Sequence, residues 1–154
     1  KYGIRSGLLE AVAYQEYARA FGWNTDSLNQ LHPDGTSFGL FGLRRSTSVQ
    51  EYNDRHSNKA ITTSVAGQAD VAGWYLGKRI PEMLKHYGLP VTFENMIISY
   101  NAGISRAISK QVPEGTRIYI QNVQEYLGKH FPAWKNLVPW IIGAGLVIGV
   151  YQVI

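Results

Sequence analysis

The sequence contains no cysteine among its 154 residues. That excludes disulfides and thiolate metal sites, and leaves redox chemistry silent about compartment. Charge is also scarce, at 17% of residues, although a hydrophobic share of 45% rules out a disordered chain. Basic residues exceed acidic ones by 15 to 11, but only as pairs such as Arg44-Arg45 and Lys78-Arg79, never as a run of four. A nucleic-acid partner is therefore not expected. The net charge of +4 points instead to anionic lipid headgroups or cell-wall polymer. His32, His56, His86 and His130 show no ligand spacing, so neither a metal nor a cofactor is expected. No internal repeat and no long alternating strand is present.

Helical periodicity fills much of what remains. Residues 5 to 21 read as a first helix that stops near Gly22. Val65, Ala69, Ala72, Leu76, Ile80 and Leu84 carry a second helical stretch over 65 to 87. In it, Gly73 and Gly77 would admit a close neighbour helix, and Pro81 would interrupt the run. Thr92, followed by Glu94 and Asn95, opens a third helix through Met96, Ile97 and Tyr100. Ile120, Val123, Gln124 and Leu127 mark a fourth over about 117 to 127. Between residues 23 and 58, Gly, Ser, Asn, Asp and Thr dominate, which predicts turns and leaves room for one short hairpin near 34 to 45. The fold class is mainly α.

Leu8, Val12 and Glu16 fall at i, i+4 and i+8 and share one helical face. A glutamate there is either a surface charge paired with Arg19 at i+3 or a carboxyl set in an apolar wall. In the second case lost hydration raises the carboxyl pKa and keeps a proton available near neutral pH. A general acid for glycosidic cleavage needs that property.

The tail differs from the rest. "LVPWIIGAGLVIGVYQVI", residues 137 to 154, has no charge in 18 residues. As a helix it would reach roughly 27 Å, close to the thickness of a hydrocarbon core. Trp134, Lys135 and Trp140 stand where interfacial anchors would. A membrane-spanning C-terminal helix is expected, with a first domain over 1–130 and the anchor over 131–154. Lys129 and Lys135 lie on its N-terminal side, which by the positive-inside tendency turns the first domain toward the cytoplasm.

Four segments occur in the order found in the lysozyme-like lytic transglycosylases, the soluble lytic transglycosylase and goose-type lysozyme group. "LLEAVAYQEY" resembles the helix that ends in the family's catalytic Glu-Ser. "SFGLFG", residues 37 to 42, resembles its Gly-Leu-Met-Gln stretch. "ISYNAG", residues 98 to 103, is similar to Ala-Tyr-Asn-Ala-Gly, and "PEGTRIYIQNV", residues 113 to 123, to the closing Glu-Thr-x-x-Tyr-Val-x-x-Val pattern. "DVAGWYL", residues 70 to 76, resembles the helix between the second and third motifs. The resemblance covers roughly residues 5 to 127. It departs from the family at Tyr17 for Ser, Phe41 for Met and Gly42 for Gln.

The resemblance implies an α+β lysozyme-like fold with Glu16 as the catalytic acid. Peptidoglycan contacts would come from Ser37, Gly39, Leu40, Phe41, Tyr100, Asn101 and Tyr119. Glycine backbone permits close approach to sugar rings. An aromatic plate with an amide suits an N-acetylated sugar. Tyr119 would reach the cleft beside Glu16. The implied activity is cleavage of the glycan strand between N-acetylmuramic acid and N-acetylglucosamine with closure of a 1,6-anhydro ring. Such an enzyme needs one carboxyl. A goose-type hydrolase would add Asp26 or Asp34 as a second, with Asp54 a further candidate, and a wall-binding subunit of reduced activity would need neither. The outlined topology suits a virion-associated protein that opens the wall on infection better than a bacterial envelope enzyme serving a secretion apparatus.

Overall fold

Residues 8 to 21 are helical throughout, but not uniformly α. In this computed structural model, which describes residues 1–5, 7–26 and 28–134, α1 (Leu8–Ala13) passes into a π-helical turn (Tyr14–Ala18) and then α2 (Arg19–Phe21). Gly22 ends the run at φ 67. A π turn inserts one residue into the helical repeat. The buried stripe that starts at Leu8 and Val12 therefore continues at Tyr17, which is 6% exposed, and not at Glu16. Glu16 is half-buried. The uniform helical phase predicted for that face fails at this turn.

The expected hairpin is present. β1 (Ser37–Phe38) pairs antiparallel with β2 (Leu43–Arg44), with Ser37 opposite Arg44 and Phe38 opposite Leu43. Phe38 also bridges Leu31, and the Arg45 guanidinium lies 4.6 Å over its ring. Beyond β2, a second π-helical turn (Arg45–Val49) leads into α3 (Gln50–Arg55), where composition predicted only turns. Three buried residues, Ser48, Val49 and Tyr52, hold this helix to the unit. They are too few to give a periodic apolar signal.

The next helix, α4 (Val65–Trp74), starts at Ser64, whose side chain accepts from the Gly67 N–H, and runs into a third π-helical turn (Tyr75–Arg79). Gly73 and Gly77 do permit a close approach, yet most of what approaches is the N-terminal segment. A Cβ at Gly77 would meet the Tyr2 carbonyl and Ile4, and one at Gly73 would meet Tyr2 and Leu9.

These elements form one compact unit, Lys1–Arg79, and a second begins at Ile80. The core of the first is built on Leu8, Val12, Phe38, Leu43, Val71 and Leu76. In the second, α5 (Ile80–His86) follows the π-helical turn without a break, so that Pro81, expected to interrupt the run, lies just after that turn within continuous helix. The Thr92 hydroxyl caps α6 (Phe93–Ala102) by accepting from the Asn95 N–H. After Gly103, α7 (Ile104–Ser109) and α8 (Glu114–His130) follow, then a 3₁₀ turn (Pro132–Trp134) that sets Trp134 against the Phe93 ring. The face of α8 formed by Thr116, Tyr119, Ile120, Val123 and Leu127 is buried. Residues 137 to 154, expected to span a membrane, lie outside the described residues. Among the described residues, no helix is long and apolar enough to cross one.

Candidate active site

The loop between β1 and β2 is Gly39-Leu40-Phe41-Gly42, and each end of it is fixed from outside. Gln68 of α4 is fully buried. Its Oε1 accepts from the Leu40 N–H over 3.0 Å, and its Nε2 donates to the carbonyls of Leu28 and Thr62, each over 2.8 Å. A Cβ on Gly39, whose φ is +72, would fall 2.2 Å from Gln68 Oε1, so only glycine fits beside the amide. The Gly39 carbonyl faces His32 Nε2 at 2.8 Å. A carbonyl can only accept, so Nε2 carries the proton. His32 Nδ1 lies 3.2 Å from the Ser37 hydroxyl.

Asp34 organises the approach to β1. Its two carboxylate oxygens accept from the N–H groups of Thr36 and Ser37 and from both of their hydroxyls, over 2.8 to 3.1 Å. Partial desolvation works against its ionised form. The Ser37 and Thr36 donors outweigh that and hold the carboxyl below the usual carboxylate range. Asp34 is thus spent on the turn. Asp26 and Asp54 are exposed, and Asp54 accepts from Gln50 Nε2 on its own helix.

Glu16 comes to the other end of the loop. At Gly42 (φ +59) a Cβ would stand 2.5 Å from Glu16 Oε2, 2.8 Å from Cδ and 3.3 Å from Cγ. The carboxyl therefore lies directly against the Gly42 backbone. Its neighbour Tyr17 is turned inward with its ring against Phe21 (5.2 Å between centroids) and near His32 (6.3 Å). The π turn separates the two roles: Tyr17 occupies the buried slot and Glu16 reaches the hairpin. Ser37, Gly39, Leu40 and Phe41 are buried; Gly42 is the half-exposed member of the loop.

In the second unit, Tyr100 and Asn101 are half-buried near the end of α6, and Tyr119 is buried on α8. The Thr116 hydroxyl donates to Asn101 Oδ1 over 2.8 Å. One hydrogen bond thereby joins the "YNAG" segment to the "GTRIY" segment, and the buried Tyr119 follows one turn after Thr116. The resemblance implied one cleft holding Glu16, the "SFGLFG" loop, Tyr100, Asn101 and Tyr119; within the first unit Glu16 lies against Gly42, and within the second Asn101 is bonded to Thr116.

Sequence reasoning gave no role to Gln68 or Asp70, and considered His32 only as a metal ligand. A buried glutamine leaves no periodic mark, although a polar residue in the otherwise apolar spacing of α4 was a usable signal. The Asp70 carboxylate accepts from Lys1 Nζ, Tyr2 OH and Tyr52 OH. Desolvation opposes its ionised form, but these donors keep its pKa below the ordinary value. A cavity of about 370 Å³ beside it is lined by Lys1, Tyr2, Arg5 and Gly73. Because both Asp70 oxygens are engaged, that cluster reads as a tie for the N-terminal segment. Among the described residues, no three His, Asp or Glu side chains are grouped to hold a metal ion. No protein-family model, curated protein or solved structure matches this chain.

Proposed function

We propose that this chain is a peptidoglycan lytic transglycosylase in which Glu16 serves as both acid and base. The observation that carries the reading is the placement of the Glu16 carboxyl, lifted out of the buried helical stripe by a π turn and resting on a glycine at a hairpin end. π turns inside α-helices occur often at functional sites because they re-aim a side chain. The residues in contact belong to the two segments that resemble the family's first two motifs.

The chemistry asks for one carboxyl. Protonated Glu16 donates to the oxygen linking N-acetylmuramic acid to N-acetylglucosamine, and the bond from C1 to that oxygen breaks. The muramoyl 2-acetamido group stabilises the positive charge left at C1. The Glu16 carboxylate then takes the proton of the muramoyl 6-hydroxyl as its oxygen bonds to C1, closing the 1,6-anhydro ring. Glu16 ends protonated and no water is consumed. In this reading Tyr100, Asn101 and Tyr119 bind the acetylated sugars.

The competing hydrolase requires a second carboxylate to activate water. Asp34, the candidate nearest the hairpin in sequence, has its oxygens engaged by four donors. That favours the single-carboxyl route. We further propose that the uncharged tail anchors the enzyme in a bilayer, and that a virion-associated protein opening the wall on infection fits its charge pattern best. Incubation with purified cell wall tests the activity. Released fragments with anhydro-muramoyl ends support the reading, reducing ends favour the hydrolase, and binding without release favours a wall-binding subunit.

A further inference from the structure

Gly42 occupies the position where the pattern it resembles carries glutamine, and a Cβ there would meet the end of the Glu16 side chain. We propose that Gly42 is a positioning residue for Glu16: its bare backbone is the seat on which the carboxyl rests, and the missing Cβ is what keeps the acid in place. The catalytic part of this inference rests on the reading of Glu16 as the acid.

The three atoms nearest to a Cβ at Gly42 all belong to the end of the Glu16 side chain, namely Oε2, Cδ and Cγ. No backbone atom is among them. A methyl group there displaces the flexible carboxyl and spares the hairpin.

Both elements that carry these residues are packed into the core of the first unit. On the hairpin side, Phe38 and Leu43 pair across the strands at 0% and 1% exposure, and Leu40 is tied to Gln68. On the helix side, Tyr17 is 6% exposed, with its ring near that of His32. The carboxyl is therefore the part that gives way, and it moves by rotating about its own side-chain bonds. Misplacement of a reacting group by about 1 Å can cost on the order of 100-fold in rate.

Gly35 provides a matched comparison. It lies in the turn before β1 with φ +69, and a Cβ there meets nothing within 4 Å. Gly35→Ala imposes the same left-handed strain as Gly42→Ala without touching Glu16.

The experiment compares full-length Gly42→Ala, Gly35→Ala and Glu16→Gln with the parent chain. The Glu16 side-chain carboxyl is followed by carbon-13 NMR and assigned by its loss in Glu16→Gln. Turnover on soluble glycan strands is resolved into kcat and KM, and thermal midpoints are recorded. The expected result is that Gly42→Ala shifts the Glu16 resonance and lowers kcat by about tenfold or more with KM little changed, the pattern of a lost transition-state interaction. Gly35→Ala should lose similar thermal stability while leaving resonance and kcat at parent values. An unmoved Glu16 resonance in Gly42→Ala, or equal effects of both alanines on kcat, overturns the proposal. Should Glu16→Gln turn over substrate like the parent, the acid assignment fails and the catalytic role of Gly42 with it. A resonance moved by Gly42→Ala alone would still establish the seat.

Discussion

The Leu40 N–H donates to Oε1 of Gln68 over 3.0 Å, across 28 residues of sequence. The same side chain donates to the Leu28 and Thr62 carbonyls, so one buried amide anchors three separate loop segments. Gln68→Leu keeps the volume but strands one N–H and two carbonyls. At roughly 1–3 kcal/mol for each buried group left unpaired, and with Thr62 half-exposed, a loss of about 3 kcal/mol is expected. Urea denaturation measures it. A midpoint unchanged from the parent would mean that Gln68 does not hold the loop.

Asp34 makes a pH-dependent contribution whose sign can be worked out. Its native pKa is depressed by the donors around it. The stabilisation is therefore full above its unfolded value, about 3.9, and is lost as pH falls from there toward the native value. Asp34→Asn should lower the thermal midpoint by a constant amount between about pH 5 and 8, with the gap to the parent narrowing below about pH 4. Wall lysis by Asp34→Asn should stay near that of the parent. Loss of lysis with the fold retained would bring back the second-carboxylate hydrolase.

Tyr119→Phe is expected to reduce turnover more than Tyr87→Phe. Tyr119 is buried on the α8 face next to the Thr116–Asn101 bond, while Tyr87 is 53% exposed. Equal rates for the two variants, measured on the same glycan substrate, would make the resemblance over residues 113 to 123 coincidental.

Much of the fold was legible because its signals are local. The Thr92 cap, the periodic faces of α6 and α8, and the glycine-marked hairpin follow from rules that act over a few residues, whereas in α4 the predicted face fails, Val65 being exposed and Val71 to Trp74 buried in succession. Three features were not legible. The π turn at Tyr14–Ala18 leaves the residues helical and alters only the phase, so Leu8, Val12 and Glu16 looked like one stripe. In α3 and α7 too few buried residues fall on one face to show a period. Gln68 and Gly42 acquire their meaning from partners 28 and 26 residues away, 68 − 40 and 42 − 16 respectively. At the site, Glu16 stood out because a uniform helix would set it on the apolar face, a face the π turn takes it away from. The glycine that receives it looked like a departure from the family pattern, and tertiary contact gives that departure a physical reason.

The tail carries a separate expectation. The full chain should sediment with lipid vesicles, and a chain ending at Trp134 should remain in the aqueous fraction with an unchanged helical circular dichroism spectrum. In membranes of a producing cell, a cytoplasmic orientation protects the domain from protease added outside. Digestion from the outside, with a cytoplasmic marker intact, would favour an envelope enzyme over a virion-associated one.

Mass spectrometry of fragments released from purified peptidoglycan by the parent chain and by Glu16→Gln tests the acid–base role of Glu16 most directly. The parent should release fragments whose muramoyl ends are lighter by one water than hydrolytic ends. Glu16→Gln, with an unchanged circular dichroism spectrum, should release them about 10² to 10⁴-fold more slowly, the usual worth of a general acid. Anhydro ends produced by Glu16→Gln at the parent rate would remove Glu16 from the mechanism.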